Sequence, residues 1–209
     1  MKKHIFVFVG FIIFLGCKEK LDSKAASPTV IQEETVQENV YTVEEIYRLA
    51  EAKSIEDTFA EEDLLETKQW IEEGSIEVVT LKVFPNTPRE LLINYTDINK
   101  SIVHSIEVYA YDSPWKSETG IYMGMPLNEL EALNKKSLRF YGYEWDYAGA
   151  VDFEKGALAS EILFVYLGTD GDVDMPKEFI GSDITITAEQ AKQHNIDFKV
   201  TGLMYRPKK

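Results

Sequence analysis

Cysteine is almost missing from this chain: Cys17 is the single one in 209 residues, so an intrachain disulfide and a thiolate metal cluster are both excluded. Histidine is nearly as scarce, with His4, His104 and His194, and no spacing among them marks a catalytic triad. A Gly-rich phosphate loop, an HExxH helix and a GxSxG elbow are all lacking. Basic residues are in short supply, 22 against 36 acidic, for a net charge of −14. A surface of that sign repels phosphate backbones and anionic headgroups, which sets aside nucleic acid and direct headgroup binding. An apolar run of bilayer length is also lacking. The longest, Ile5 to Leu15, would extend only about 16 Å as a helix at roughly 1.5 Å per residue, against about 30 Å of hydrocarbon.

That short run has a context of its own. Lys2, Lys3 and His4 precede it, and Gly16 and Cys17 come after it, the layout of a signal peptide over residues 1–16. Phe14-Leu15-Gly16-Cys17 resembles the lipobox of bacterial lipoproteins. The resemblance implies a diacylglycerol on the Cys17 thiol and a mature chain that begins there. The bland alternative is an ordinary secretory signal with an incidental cysteine. Residues 17–41 carry Lys, Glu, Ser, Ala and Gln with few large apolar groups, a composition that cannot fold alone and suits a tether. Lys18-Glu19 puts no Asp behind the cysteine, so the inner-membrane retention signal of enteric bacteria is absent and the outer membrane is the expected address.

Residues 42–209 then form the folded part. With 44% hydrophobic and 12% aromatic residues there is ample material for one core, and the length suits a single domain. Thr42 with Glu45 makes a capping box ahead of Ile46, Tyr47, Leu49 and Ala50, which predicts a helix over about 43–53. Thr58 with Glu61, the acidic run Glu61-Glu62-Asp63 and a terminal Gly74 predict a second helix over about 59–73. The period then changes. Strands are expected from Ser75 to Val83, Glu90 to Tyr95 and Ile102 to Tyr111, with a loop at Asp112 to Trp115. Pro126 opens a helix striped by Leu127, Leu130 and Leu133. Three further strands are expected at about 138–141, 144–152 and 161–167. Thr187 with Gln190 then boxes a short helix, and Phe198 to Tyr205 closes the chain as a strand. The sum is an α+β domain with a mostly antiparallel sheet and several short helices.

Two segments resemble a family of small bacterial envelope proteins of unknown function. One is Gly120-Ile121 through Gly124 to Leu127-Asn128-Glu129-Leu130-Glu131-Ala132-Leu133-Asn134; the other is Phe140-Tyr141-Gly142-Tyr143-Glu144-Trp145-Asp146-Tyr147-Ala148-Gly149. The likeness spans about 76–167 and supplies no catalytic residues.

In an extended strand Tyr141, Tyr143, Trp145 and Tyr147 would share one face, a row some 20 Å long at about 3.3 Å per residue. Such a row stacks sugar rings or grips a peptide, with Trp115 as a further candidate, or else serves as core. Asp170, Asp172 and Asp174 alternate like the start of a calcium loop. Met175 and Gly181, however, occupy the places where an EF-hand has Gly and Glu, so a solvated turn is the other reading. Glu178 and Asp183 would complete a looser site. Glu144 and Asp146, two apart, or His104 would be the acids and base of a hydrolase. The expectation is a membrane-anchored envelope lipoprotein without a cofactor. Its domain binds an envelope protein or a small ligand and is not an enzyme, the hydrolase being the rival.

Overall fold

The computed structural model describes residues 41–171 and 173–208, all within one compact unit spanning Glu38–Lys209. Residues 1–40, which include the expected signal segment, Cys17 and most of the expected tether, lie outside the described residues, as do Asp172 and Lys209.

Helix α1, Val43–Glu51, begins on the expected capping box: Thr42 accepts from the Glu45 amide, and the Glu45 carboxylate accepts from the Thr42 amide at 2.7 Å. Its buried residues are Val43, Ile46 and Ala50, a spacing of three and four that faces the sheet. The second expected helix does not form. A short helix α2, Ile55–Thr58, and a single 3-10 turn at Glu61–Asp63 are followed by a strand β1, Leu64–Ile71. Thr58 Oγ1 turns back to donate to Ser54 O at 2.6 Å, so it is not the cap of Glu61. What overrides the helical signals is a hairpin. All eight residues of β1 pair with β2, Ile76–Val83, from Leu64 opposite Val83 to Ile71 opposite Ile76. Glu72, Glu73 and Gly74 turn the corner with φ of 51°, 56° and 80°, so Gly74 is a hairpin residue and not the end of a helix.

The main sheet is antiparallel and six-stranded. It adds β3, Leu91–Tyr95, and β4, Val103–Val108, and then takes β7, Leu163–Gly168, and β9, Lys199–Tyr205, in the order β1-β2-β3-β4-β9-β7. A smaller sheet has β5, Arg139–Tyr141, between β6, Val151–Asp152, and β8, Thr185–Thr187. Helix α3, Leu127–Asn134, starts after Pro126 as expected. Helix α4, Ala188–Gln193, has the Thr187–Gln190 box in both directions. The fold is therefore α+β, mostly sheet and single-domain. The expected strand over 144–152 shrinks to its last two residues, for a reason that belongs to the loop before it.

On one face of the main sheet Val79, Leu81, Val83, Leu91, Ile93, Ile106, Val165 and Leu203 join α1 in the core. The other face carries a buried polar ladder. Asn94 Oδ1 accepts from Thr80 Oγ1 at 2.7 Å and Gln69 Nε2 at 3.1 Å, and its Nδ2 donates to Ser105 Oγ at 3.0 Å and Glu107 Oε1 at 2.9 Å. Four strands are thus keyed to one amide, and a one-residue slip would turn it into the core.

A second buried amide ties α3 to the segment between β6 and β7. Asn134 donates to Lys136 O at 2.9 Å and Phe153 O at 3.1 Å and accepts from the Leu158 amide at 3.1 Å. Asn134→Ala should cost about 3 kcal/mol, since it strands buried partners without hydrogen bonds. Urea denaturation checks this; an unchanged midpoint would mean that water replaces the amide without loss.

Candidate aromatic surface

The aromatic block runs from the end of β5 into the loop before β6, and the backbone explains why no strand continues past Tyr141. Gly142 N–H donates to Ile184 O at 2.9 Å and Tyr143 N–H to Phe179 O at 2.8 Å, while Gly181 N–H donates to Tyr143 O at 3.0 Å. Glu144 then takes φ 66°, in the left-handed region. Ala148 N–H turns back to Trp145 O at 3.1 Å, and Gly149, at φ 73°, exchanges bonds with Tyr141 and Leu167. A row with period two needs extended backbone, and here the chain leaves that region at residue 144.

The four aromatics consequently divide. Tyr143 turns inward: its hydroxyl donates to Leu167 O at 2.8 Å, and its ring stacks on Phe198 with centroids 5.7 Å apart and planes 11° from parallel. Burial drives its phenol pKa well above the ordinary tyrosine value. Tyr141 and Tyr147 stay exposed, Tyr147 at 56%, and Trp145 is half-buried between them. Trp145 is the hinge of this trio, 5.7 Å from Tyr141 at 79° and 5.2 Å from Tyr147 at 63°, both edge-to-face. Its indole N–H is already committed to Gly142 O at 2.8 Å. Trp115 is elsewhere: it is a core residue, 2% exposed, and its indole donates to Arg89 O at 2.8 Å. Three of the five candidate aromatics therefore form a surface, and Tyr143 and Trp115 act as supports of the fold.

Stability measurements separate the two classes. Tyr147→Ala should stay within about 0.5 kcal/mol of the parent, as exposed positions do, whereas Tyr143→Ala should cost about 3 kcal/mol through lost packing. Equal losses in denaturation would show that Tyr147 is packed like its neighbour.

The carboxylate candidates do not converge. Glu144 and Asp146 are exposed on the aromatic loop, while His104 is buried in β4 with its Nε2 3.6 Å from Glu72 Oε1. His194 Nε2 lies 3.2 Å from Glu178 Oε1, and its ring meets Phe179 edge-on at 4.9 Å. Asp170 Oδ2 is held by Lys199 Nζ at 3.1 Å, Asp174 is exposed, and Asp183 accepts from Ser182 Oγ at 2.9 Å. Among the described residues, no group of three or more His, Cys, Asp or Glu side chains is placed to hold a metal ion. An open groove of about 1340 Å³ lies between α3 and α4, lined by Leu127, Glu131, Ala191, Lys192 and Ile196 among others, and does not include the aromatic trio.

Sequence reasoning passed over Gly149, the residue that docks the loop. A Cβ there would run into the carbonyl of Leu167. The sequence signal was a glycine two residues past Tyr147, where the aromatic alternation stops.

No family of known proteins matches the chain, and no curated protein matches it. Among solved structures it is similar to the uncharacterized protein yfeY from Escherichia coli, at 18% identity over 75% of this chain and 88% of that chain, with a TM-score of 0.40.

Proposed function

We propose that this chain is a bacterial envelope lipoprotein, exported behind residues 1–16 and held by lipid on Cys17, whose α+β domain is a non-enzymatic binding module. The anchor rests on the sequence: a charged start, an eleven-residue apolar run and the only cysteine at its end. The outer membrane is the address we favour, since Lys18 stands where a retention Asp would be. Among the described residues no helix is long and apolar enough to cross a membrane.

The observation that carries the binding reading is the trio Tyr141, Trp145 and Tyr147, with Trp145 edge-to-face on both tyrosines, at the end of β5 and on a loop pinned by backbone hydrogen bonds to β7, Ile184 and the 179–181 turn. Rigid aromatics lose little conformational freedom when a partner covers them, so they suit a sugar ring or a peptide from another envelope protein. The rival hydrolase reading would need Glu144, Asp146 and His104 in one cleft, and among the described residues the first two are exposed on the aromatic loop while His104 is buried in β4. A photo-crosslinking residue, benzoyl-phenylalanine, placed at Tyr147 in the cell-borne protein tests the surface, with the same residue at exposed Glu61 as control. Adducts formed from position 147 and not from 61 are expected. Identical adduct patterns would remove the aromatic loop as the binding surface.

A further inference from the structure

The two edges of the main sheet are treated differently. The β7 edge is covered: Ala150 bridges to Tyr166, and the Leu167 amide donates to Gly149 O at 2.8 Å. The β1 edge is not. Its eight residues pair with β2 on one side, and among the described residues no backbone group of 65–70 bonds to anything on the other. Two large apolar side chains stand exposed on this strand, Trp70 at 64% and Leu65 at 44%. A long open edge with exposed apolar groups is a template for another strand.

From this edge we infer that β1 pairs antiparallel with β1 of a second copy, about a two-fold axis through Thr67. The charges choose both partner and register. Antiparallel self-pairing that keeps side chains on matching faces must be centred on a residue. Centred on Thr67, Glu66 of each copy faces Lys68 of the other, Leu64 faces Trp70 and Leu65 faces Gln69. Centred one residue earlier, Glu66 faces its own copy, and one residue later Lys68 does. Like charges directly opposite oppose pairing, so of these three centres Thr67 is the self-complementary one. Both charged side chains are exposed; Glu66 also lies 3.1 Å from Lys100 Nζ, which leaves half of its surface in water. An interface of one strand pair is smaller than the roughly 1,200–2,000 Å² of stable complexes, so the association is weak and is best trapped covalently.

Thr67→Cys in a Cys17→Ser chain provides the trap, because no other thiol is present and the test does not depend on lipidation. On the two-fold axis the paired Cβ atoms come within about 4.5–5.5 Å, near the reach of a disulfide. Mild oxidation of the full chain should give a disulfide-linked dimer as the main product, while Gln69→Cys, which faces Leu65 of the partner, should remain monomeric. Adding Lys68→Glu to the trap should lower the dimer yield roughly tenfold, and Glu66→Lys together with Lys68→Glu should restore it. A monomeric Thr67→Cys, equal linking through Gln69→Cys, or a charge swap that fails to rescue would each overturn the pairing.

Discussion

Cys17→Ser should move the protein from the membrane fraction to the soluble fraction almost completely. Each buried CH₂ of an acyl chain contributes about 0.8 kcal/mol, so two or three chains on one residue anchor far more firmly than a single chain does. None of the described helices can cross a bilayer, and a net charge of −14 gives anionic headgroups no reason to hold the domain. On the proposed reading the lipid carries the whole attachment. Intact mass of wild type beside variant is the companion measurement: a diacylglycerol mass on the wild type, absent from the variant. A variant that remained in the membrane fraction, or an unmodified soluble wild type, would reject the anchor and make the chain a secreted or periplasmic protein. The domain should keep its melting temperature in either case, because Cys17 lies outside the Glu38–Lys209 unit.

Gly149→Ala should be the most damaging single methyl in the folded unit. Two costs add. At φ 73° an L side chain is strained by about 1–2 kcal/mol. The new Cβ would also overlap the Leu167 carbonyl, a backbone atom of the sheet that cannot swing away, for about 1–3 kcal/mol more. A loss near 4 kcal/mol is a large part of the roughly 5–15 kcal/mol that holds a domain together. Gly120→Ala isolates the first cost, since Gly120 has φ 88° but open space where its Cβ would go. It should lose only about 1 kcal/mol. The loop should feel Gly149→Ala first, because the Tyr143 hydroxyl and the Gly149 carbonyl both bond Leu167. Denaturant midpoints for the pair, read beside Trp emission, settle it; equal losses at the two glycines would mean that β7 yields to the methyl.

The chain announced its helix starts where side chain and backbone cooperate locally. Thr42 with Glu45 and Thr187 with Gln190 cap helices in the structure as their spacing predicts, because a capping box is complete within four residues. The same logic failed at Thr58 and Glu61. There Glu61, Glu62, Asp63 and Gly74 imitate a helix start and stop, but the register between β1 and β2 is a non-local interaction that spacing within residues 59–73 cannot show. Thr67, Trp70 and Ile71, all strand formers, were the available warning. The strand β8 went unseen because its last residue is also the cap of α4. For the aromatic block, alternation implied an extended row that the backbone does not form. Alternation located Tyr141, Trp145 and Tyr147, yet which of the four turns inward was decided by the bonds from residues 142–143 to 179–184, some forty positions along the chain.

The position of β9 has a consequence for the order in which this fold can assemble. Among the described strands it comes last in sequence, yet it stands between β4 and β7 and pairs with both. A ribosome-bound chain can make the β1 to β4 meander early, but β7 has no neighbour in the main sheet until residues 199–205 emerge. Long-range pairings of this kind form slowly, after the loops between them have been closed. Synthesis must therefore pass residue 205 before the core can shut. Until then Leu163, Val165 and Leu167 remain open to water and to any chaperone that meets them.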